Sequence, residues 1–158
     1  KLCYETLLKD SAKALEAVEQ QVVTPELEAV VEASVYLSGV GFEAGGLAAA
    51  HAINDGFAQV PQAHNASHGE KVAFGLLAQL ILEKAPKEEW DTVLHYIRSV
   101  GLPSCLADLG IQDVKEEEIR KVSEAATVPT QFTKNVRADI TADEVYQAIM
   151  AADAAGKQ

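Results

Sequence analysis

This 158-residue chain is short of several residue types, and each shortage narrows what it does. Cysteine occurs twice, as Cys3 and Cys105, with no C-x-x-C pair. That excludes a disulfide framework and argues against a thiolate metal site. One disulfide stays open, but two free thiols in a reducing cytoplasm are the favoured reading. Basic residues are scarce: 13 Lys and Arg face 24 Asp and Glu, a formal net charge of −11. With no basic stripe, such a surface repels nucleic acid and anionic membranes. No apolar run reaches the roughly 20 residues that span a bilayer. The first residues, Lys1-Leu2-Cys3-Tyr4, lack the basic leader, apolar core and cleavage site of a secretory signal, so a cytoplasmic location is expected. They also lack an initiator methionine, which suggests a piece of a longer protein. There is no G-x-S-x-G and no catalytic triad. The glycines of Gly39-x-Gly41-x-x-x-Gly45-Gly46 do not form G-x-G-x-x-G and follow a helix rather than a strand, so they are not a dinucleotide loop.

What is present is helix, nearly throughout. Leu2 to Gln20 carries Tyr4, Leu8, Leu15 and Val18 with charges between. Thr24-Pro25-Glu26 is a helix start: a capping hydroxyl, a proline in the first turn and an acid at the positive end. Leu27, Val30, Val31, Ser34 and Leu37 share one face of that helix, which Gly39 and Gly41 are expected to end. Gly45-Gly46 opens a short alanine-rich helix, Leu47 to about Phe57, whose small side chains suit a central position. After a loop with Pro61, Ser67-His68-Gly69-Glu70 fits a capping box, and the helix to Lys84 is apolar nearly all round, as buried helices are. Pro86 begins a helix whose inner face is Trp90, Val93, Leu94, Ile97 and Val100, with Gly101 as its stop. Pro103 to Gly110 reads as a turn, Glu116 to Ala126 as a charged surface helix, and Thr127 to Ile140 as irregular. Thr141-Ala142-Asp143-Glu144 is a second capping box before a last helix to about Ala155. The fold class is all-α, a bundle of helices of ordinary length in a single domain over 1–158.

Two of the four histidines stand in unusual surroundings. His51 lies in the alanine-rich helix. It reads either as a core histidine bonded to a carbonyl or as a metal ligand, since neutral imidazole is the commonest protein ligand. His68 lies in the first turn of the next helix, where the helix dipole disfavours imidazolium and so favours the ligating form. Together they suggest a shared metal site that still needs an anionic ligand, because a catalytic zinc commonly takes three. Asp55, four residues after His51, reads as a ligand, as a partner orienting the imidazole, or as a helix-end acid, the ligand reading being the weakest. His64 reads as an exposed loop residue or a third ligand, and His95 as structural. Phe42 either walls a small pocket or belongs to the core.

On these residues the chain resembles the C-terminal helical domain of the glycerol dehydrogenases, in the iron-containing alcohol dehydrogenase superfamily. The resemblance runs over nearly the whole chain. It is strongest in Val22-Val23-Thr24-Pro25-Glu26-Leu27-Glu28, in the run from Tyr36 to Ala52, in His68-Gly69-Glu70-Lys71-Val72-Ala73-Phe74-Gly75, and in Val100-Gly101-Leu102-Pro103. It implies the fold of that domain, of the dehydroquinate synthase-like type. It also implies oxidation of glycerol to dihydroxyacetone with NAD. The implied zinc is held by one aspartate and two histidines, with His51 and His68 matching the histidines and Phe42 an aromatic residue of the glycerol pocket. No catalytic residue beyond the metal ligands is implied, and His64 and Asp55 receive no metal role. The NAD-binding domain and the first helices of the C-terminal domain, which carry the metal aspartate, have no counterpart in the sequence. The chain is therefore expected to be a fragment truncated on its N-terminal side, inactive alone, with the missing N-terminal half as its partner and a homo-oligomer as the parent. Two competitors are a non-enzymatic helical interaction module and a dehydrogenase of another polyol or small alcohol.

Overall fold

The computed structural model describes all of residues 1–158, and none of them forms a strand. The all-α expectation holds. No helix is long and apolar enough to cross a membrane. Both cysteines are free thiols, Cys105 buried and Cys3 partly so. The chain separates into two compact units, Lys1–Gly46 and Leu47–Gln158.

The first unit holds α1 (Leu2–Glu19), α2 (Pro25–Glu32), a single π turn (Ala33–Leu37) and α3 (Ser38–Gly45). Thr24 caps α2 as its sequence dictates, its hydroxyl accepting the Leu27 N–H at 3.3 Å. The expected stop at Gly39 and Gly41 does not occur. Helix continues through both to Gly45, and the chain turns at Gly46, whose φ is +72°. A glycine ends a helix by entering the left-handed region, and of these only Gly46 does so. The packing of this unit inverts its composition. α1 lies against α2 through small residues, with Ser11, Ala14, Ala17 and Ala33 buried, while Tyr4, Leu8, Leu15 and Val18 stay exposed.

The second unit holds α4 (Ala49–Gly56), α5 (His68–Leu82), α6 (Lys87–Ser99), α7 (Glu116–Ala126) and α8 (Ala142–Gly156). The loop between α4 and α5 contains two short 3-10 turns, Phe57–Gln59 and Pro61–Ala63. Both capping boxes form. The Ser67 hydroxyl accepts the Glu70 N–H while the Glu70 carboxylate accepts the Ser67 N–H at 2.7 Å. Thr141 and Glu144 repeat the pattern ahead of α8. The core gathers Ile53, Phe57, Phe74, Leu77, Ile119 and Ile149, all fully buried, each contributing about 1.5–3 kcal/mol by leaving water. The charged face of α7 is solvated as expected, but its other face, Ile119, Val122 and Ala126, is fully buried.

α4 is central, packed on both α5 and α7. Two glycines make this possible. A Cβ on Gly75 of α5 would lie 2.6 Å from the Ala50 carbonyl oxygen, and one on Gly56 would lie 2.5 Å from the Val122 carbonyl oxygen. The helices therefore approach backbone to backbone at these points.

Candidate metal centre

The histidine pair is assembled by that close approach. His51 follows Ala50, the residue that Gly75 touches, and His68 opens the helix that carries Gly75. The amide before His51 is also fixed. The Ala50 N–H, one of the orphan donors of the α4 N-terminus, donates to the Gln79 side-chain oxygen at 2.9 Å. Gln79 in turn donates to Glu83 at 2.7 Å. On the other side, the Asn135 amide donates to the Leu47 carbonyl at 2.8 Å.

The His51 and His68 ring centroids are 5.5 Å apart, with the rings tilted by 49°. The His51 ring is partly buried and His68 is exposed. Burial holds the His51 imidazole below its ordinary pKa, and the positive potential of His68 acts in the same direction, against the opposing pull of Asp55. His51 is therefore kept neutral, with a nitrogen lone pair free to ligate. Zinc–nitrogen bonds of about 2.1 Å put a ring centroid about 3.2 Å from the metal, so two imidazoles at the tetrahedral angle lie about 5.2 Å apart. The observed separation fits one shared ion. The donor set in the chain stops there: no group of three or more His, Cys, Asp or Glu is placed to hold a metal ion.

The other sequence-predicted residues do not join the pair. Asp55 is exposed and accepts hydrogen bonds from Asn54 and from Gln131, each at 3.1 Å. His64 is exposed and lies 3.3 Å from the Ala58 carbonyl within its own loop. His95 is exposed on α6. Phe42 lies on α3 in the other unit and is 51% exposed, so it is not a core residue. A cavity of about 700 Å³ lies between α5, α6 and α8 around Trp90 and Leu94, and neither His51 nor His68 lines it.

Sequence reasoning missed one support of the site, Gln79, and one contact of the neighbouring Asp55, Gln131. Gln79 stood out as a polar residue on an otherwise apolar helix, a readable signal. Gln131, which ties the segment after α7 to Asp55, carried none, because its segment has no periodicity. Its side-chain oxygen is buried without a hydrogen-bond partner.

No family model matches the chain. It is 52% identical over 157 residues to a glycerol dehydrogenase of Escherichia coli O6:H1, a match covering 99% of this chain and 43% of that protein. The chain is homologous to part of the glycerol dehydrogenases. The crystal structure of a probable glycerol dehydrogenase from Sinorhizobium meliloti 1021 superposes with a TM-score of 0.93 at 43% identity, covering 98% of this chain and 44% of that one. A glycolaldehyde reductase of Halobacterium salinarum is 40% identical over 157 residues, again with 43% of its length matched. The chain thus spans less than half the length of the glycerol dehydrogenases it matches.

Proposed function

We propose that this chain is the helical metal- and substrate-binding part of an NAD-dependent glycerol dehydrogenase. The observation that carries the reading is the His51–His68 pair, two imidazoles at the separation a shared zinc requires, one of them held neutral by burial. The expected third ligand, an aspartate, belongs in this account to polypeptide outside the match, as does the NAD-binding domain. Phe42 is assigned to one wall of the polyol pocket. Zinc, when bound, supplies Lewis acidity that lowers the pKa of a coordinated alcohol.

The rest of the task falls to this chain's own residues. His51 and His68 hold the ion. The Gln79–Ala50 hydrogen bond and the Gly75–Ala50 approach fix the spacing between them. A nicotinamide would be held by the part outside the match and would supply the hydride acceptor, so the chain alone is expected to be inactive, and the whole enzyme to be a homo-oligomer. A related substrate, another small polyol or hydroxyaldehyde, is the second reading, favoured by the 40% identity to the glycolaldehyde reductase.

The test is a chimera in which this chain replaces the matching region of the Escherichia coli relative. Glycerol-dependent NADH formation is expected from the chimera, not from the isolated chain, and is expected to be lost in His51→Ala and His68→Ala chimeras. Activity of the isolated chain, or a chimera indifferent to both substitutions, overturns the reading.

A further inference from the structure

Asp55 is the only charged residue of α4, and the helix puts it where a negative charge is least favourable. It stands in the last turn, at the end where unpaired carbonyls already carry negative potential. Two amides nonetheless hold its carboxylate in place. Asn54, itself buried, donates to Oδ1, and Gln131 donates to Oδ2, each at 3.1 Å. The second of these contacts leaves a defect. The Gln131 Oε1 is the one buried side-chain nitrogen or oxygen of the chain without a hydrogen-bond partner. Turning the amide over does not repair it, because Oε1 would then face the Asp55 carboxylate, acceptor against acceptor. Both features are unfavourable, and both follow from keeping one negative charge in one place. The tie between α4 and the segment after α7 does not account for that charge. A neutral amide at position 55 would accept the Gln131 N–H and spare the helix end.

What the charge faces is the histidine pair. His51 lies four residues earlier on the same face of α4, a spacing at which Cβ atoms are about 5–6 Å apart. Burial and His68 lower the proton affinity of His51, and Asp55 is the charge that opposes them. No hydrogen bond joins the two side chains, and each carboxylate oxygen already accepts from an amide. Asp55 therefore acts through space and not as a ligand. An ion held by two neutral imidazoles and one outside carboxylate keeps a net positive charge in a partly buried site. We propose that Asp55 is a positioning residue of the metal centre: its carboxylate, fixed by Asn54 and Gln131, supplies the counter-charge that raises the affinity of the His51–His68 pair for a divalent cation. The proposal rests on the proposed function for the ion itself. The placement of the carboxylate is independent of that reading.

Calorimetric zinc titrations of the chain at low and physiological ionic strength, ~10 mM and ~150 mM, test it. Asp55→Asn keeps the shape and one acceptor and removes the charge. It is expected to weaken zinc binding about fivefold at the lower salt and about twofold at the higher, as a charge about 8 Å from the ion would. Asp55→Glu retains the charge and is expected to stay within about twofold of the parent. Gln131→Leu frees the carboxylate and removes the orphaned oxygen. It is expected to weaken zinc binding in the parent and to have no effect in the Asp55→Asn background. Metal-free urea melts of Asp55→Asn are expected to match the parent. Equal zinc affinity in Asp55→Asn and the parent overturns the proposal. So does a loss of the same factor at both salts, or one matched by Asp55→Glu and accompanied by a lower metal-free stability, the signature of a merely structural role. If His51→Ala and His68→Ala abolish zinc uptake while Asp55→Asn leaves it unchanged, this proposal alone fails. Zinc uptake indifferent to both histidines sinks the functional reading and this proposal with it.

Discussion

Replacing Gly75 with alanine isolates the contact on which the histidine pair depends. The added Cβ would sit 2.6 Å from the Ala50 carbonyl oxygen, with the Ala50 Cα at 3.2 Å and its carbonyl carbon at 3.3 Å. Ordinary van der Waals contact begins near 3.4 Å, so α4 and α5 must part by about 0.8 Å. All three obstructing atoms are main chain, and none can swing aside. Overpacking of this kind costs about 1–3 kcal/mol, and a rigid backbone neighbour favours the upper part of that range. Alanine returns about 0.5–1 kcal/mol through its better helix propensity. The net loss is about 1–2 kcal/mol, or roughly 3–8 °C in melting midpoint for a chain of this size. The same displacement exceeds the roughly 0.5 Å tolerance of a functional constellation, so zinc affinity is expected to fall at least about tenfold. Gly69→Ala is the control. It lies beside His68, and a Cβ there meets nothing within 4 Å. Urea melts and calorimetric zinc titrations of both variants check the argument. A Gly75→Ala protein as stable and as zinc-competent as Gly69→Ala would refute it.

Asp153 is 3% exposed, and its carboxylate accepts the Leu106 N–H at 2.9 Å and the Lys157 ammonium at 2.6 Å. Asp153→Ala leaves the buried amide without a partner and is expected to cost about 2–4 kcal/mol in urea melts, while Asp139→Ala, at an exposed pair with Arg137, stays near zero. For His51 the folded pKa lies below the unfolded value, so the unfolded chain takes up the proton first as pH falls. Stability present above the unfolded imidazole pKa is then lost as pH falls through the folded one. Melts at pH 7.5 and pH 5 (values chosen at about one unit or more either side of the free imidazole) should show this loss shrinking in His51→Gln. Gly156→Ala would place a Cβ 1.8 Å from the Ser104 carbonyl oxygen and is expected to unseat the end of α8, read as lost helicity in circular dichroism.

Much of this architecture is local in origin and therefore legible in the sequence. The caps at Thr24, Ser67 and Thr141 form where the sequence puts them, because the amide each hydroxyl accepts is three residues away, and at Ser67 and Thr141 an acid at that position closes the box. The alanine-rich helix is central because small side chains admit close neighbours. The first unit was less legible. Gly39 and Gly41 look like stops, yet a glycine only permits the left-handed turn, and the chain makes that turn at Gly46. Nor does periodicity say which side of an amphipathic helix is covered. Tyr4, Leu8, Leu15 and Val18 are the residues a reader would bury, and the small residues beside them are buried instead. At the site, the histidine context pointed to the pair and Gln79 was readable as a polar residue on an apolar helix, but the contact made by the neighbouring Asp55 was not. Gln131 reaches Asp55 across 76 positions, and no local pattern encodes such a contact.

The central claim is that His51 and His68 together hold one metal ion. A calorimetric zinc titration of the isolated chain tests it most directly, with His51→Ala, His68→Ala, His64→Ala and His95→Ala proteins alongside. One weak site per chain is expected, lost in either of the first two variants and unchanged in the last two. Zinc binding that survives the removal of both His51 and His68 would contradict the account.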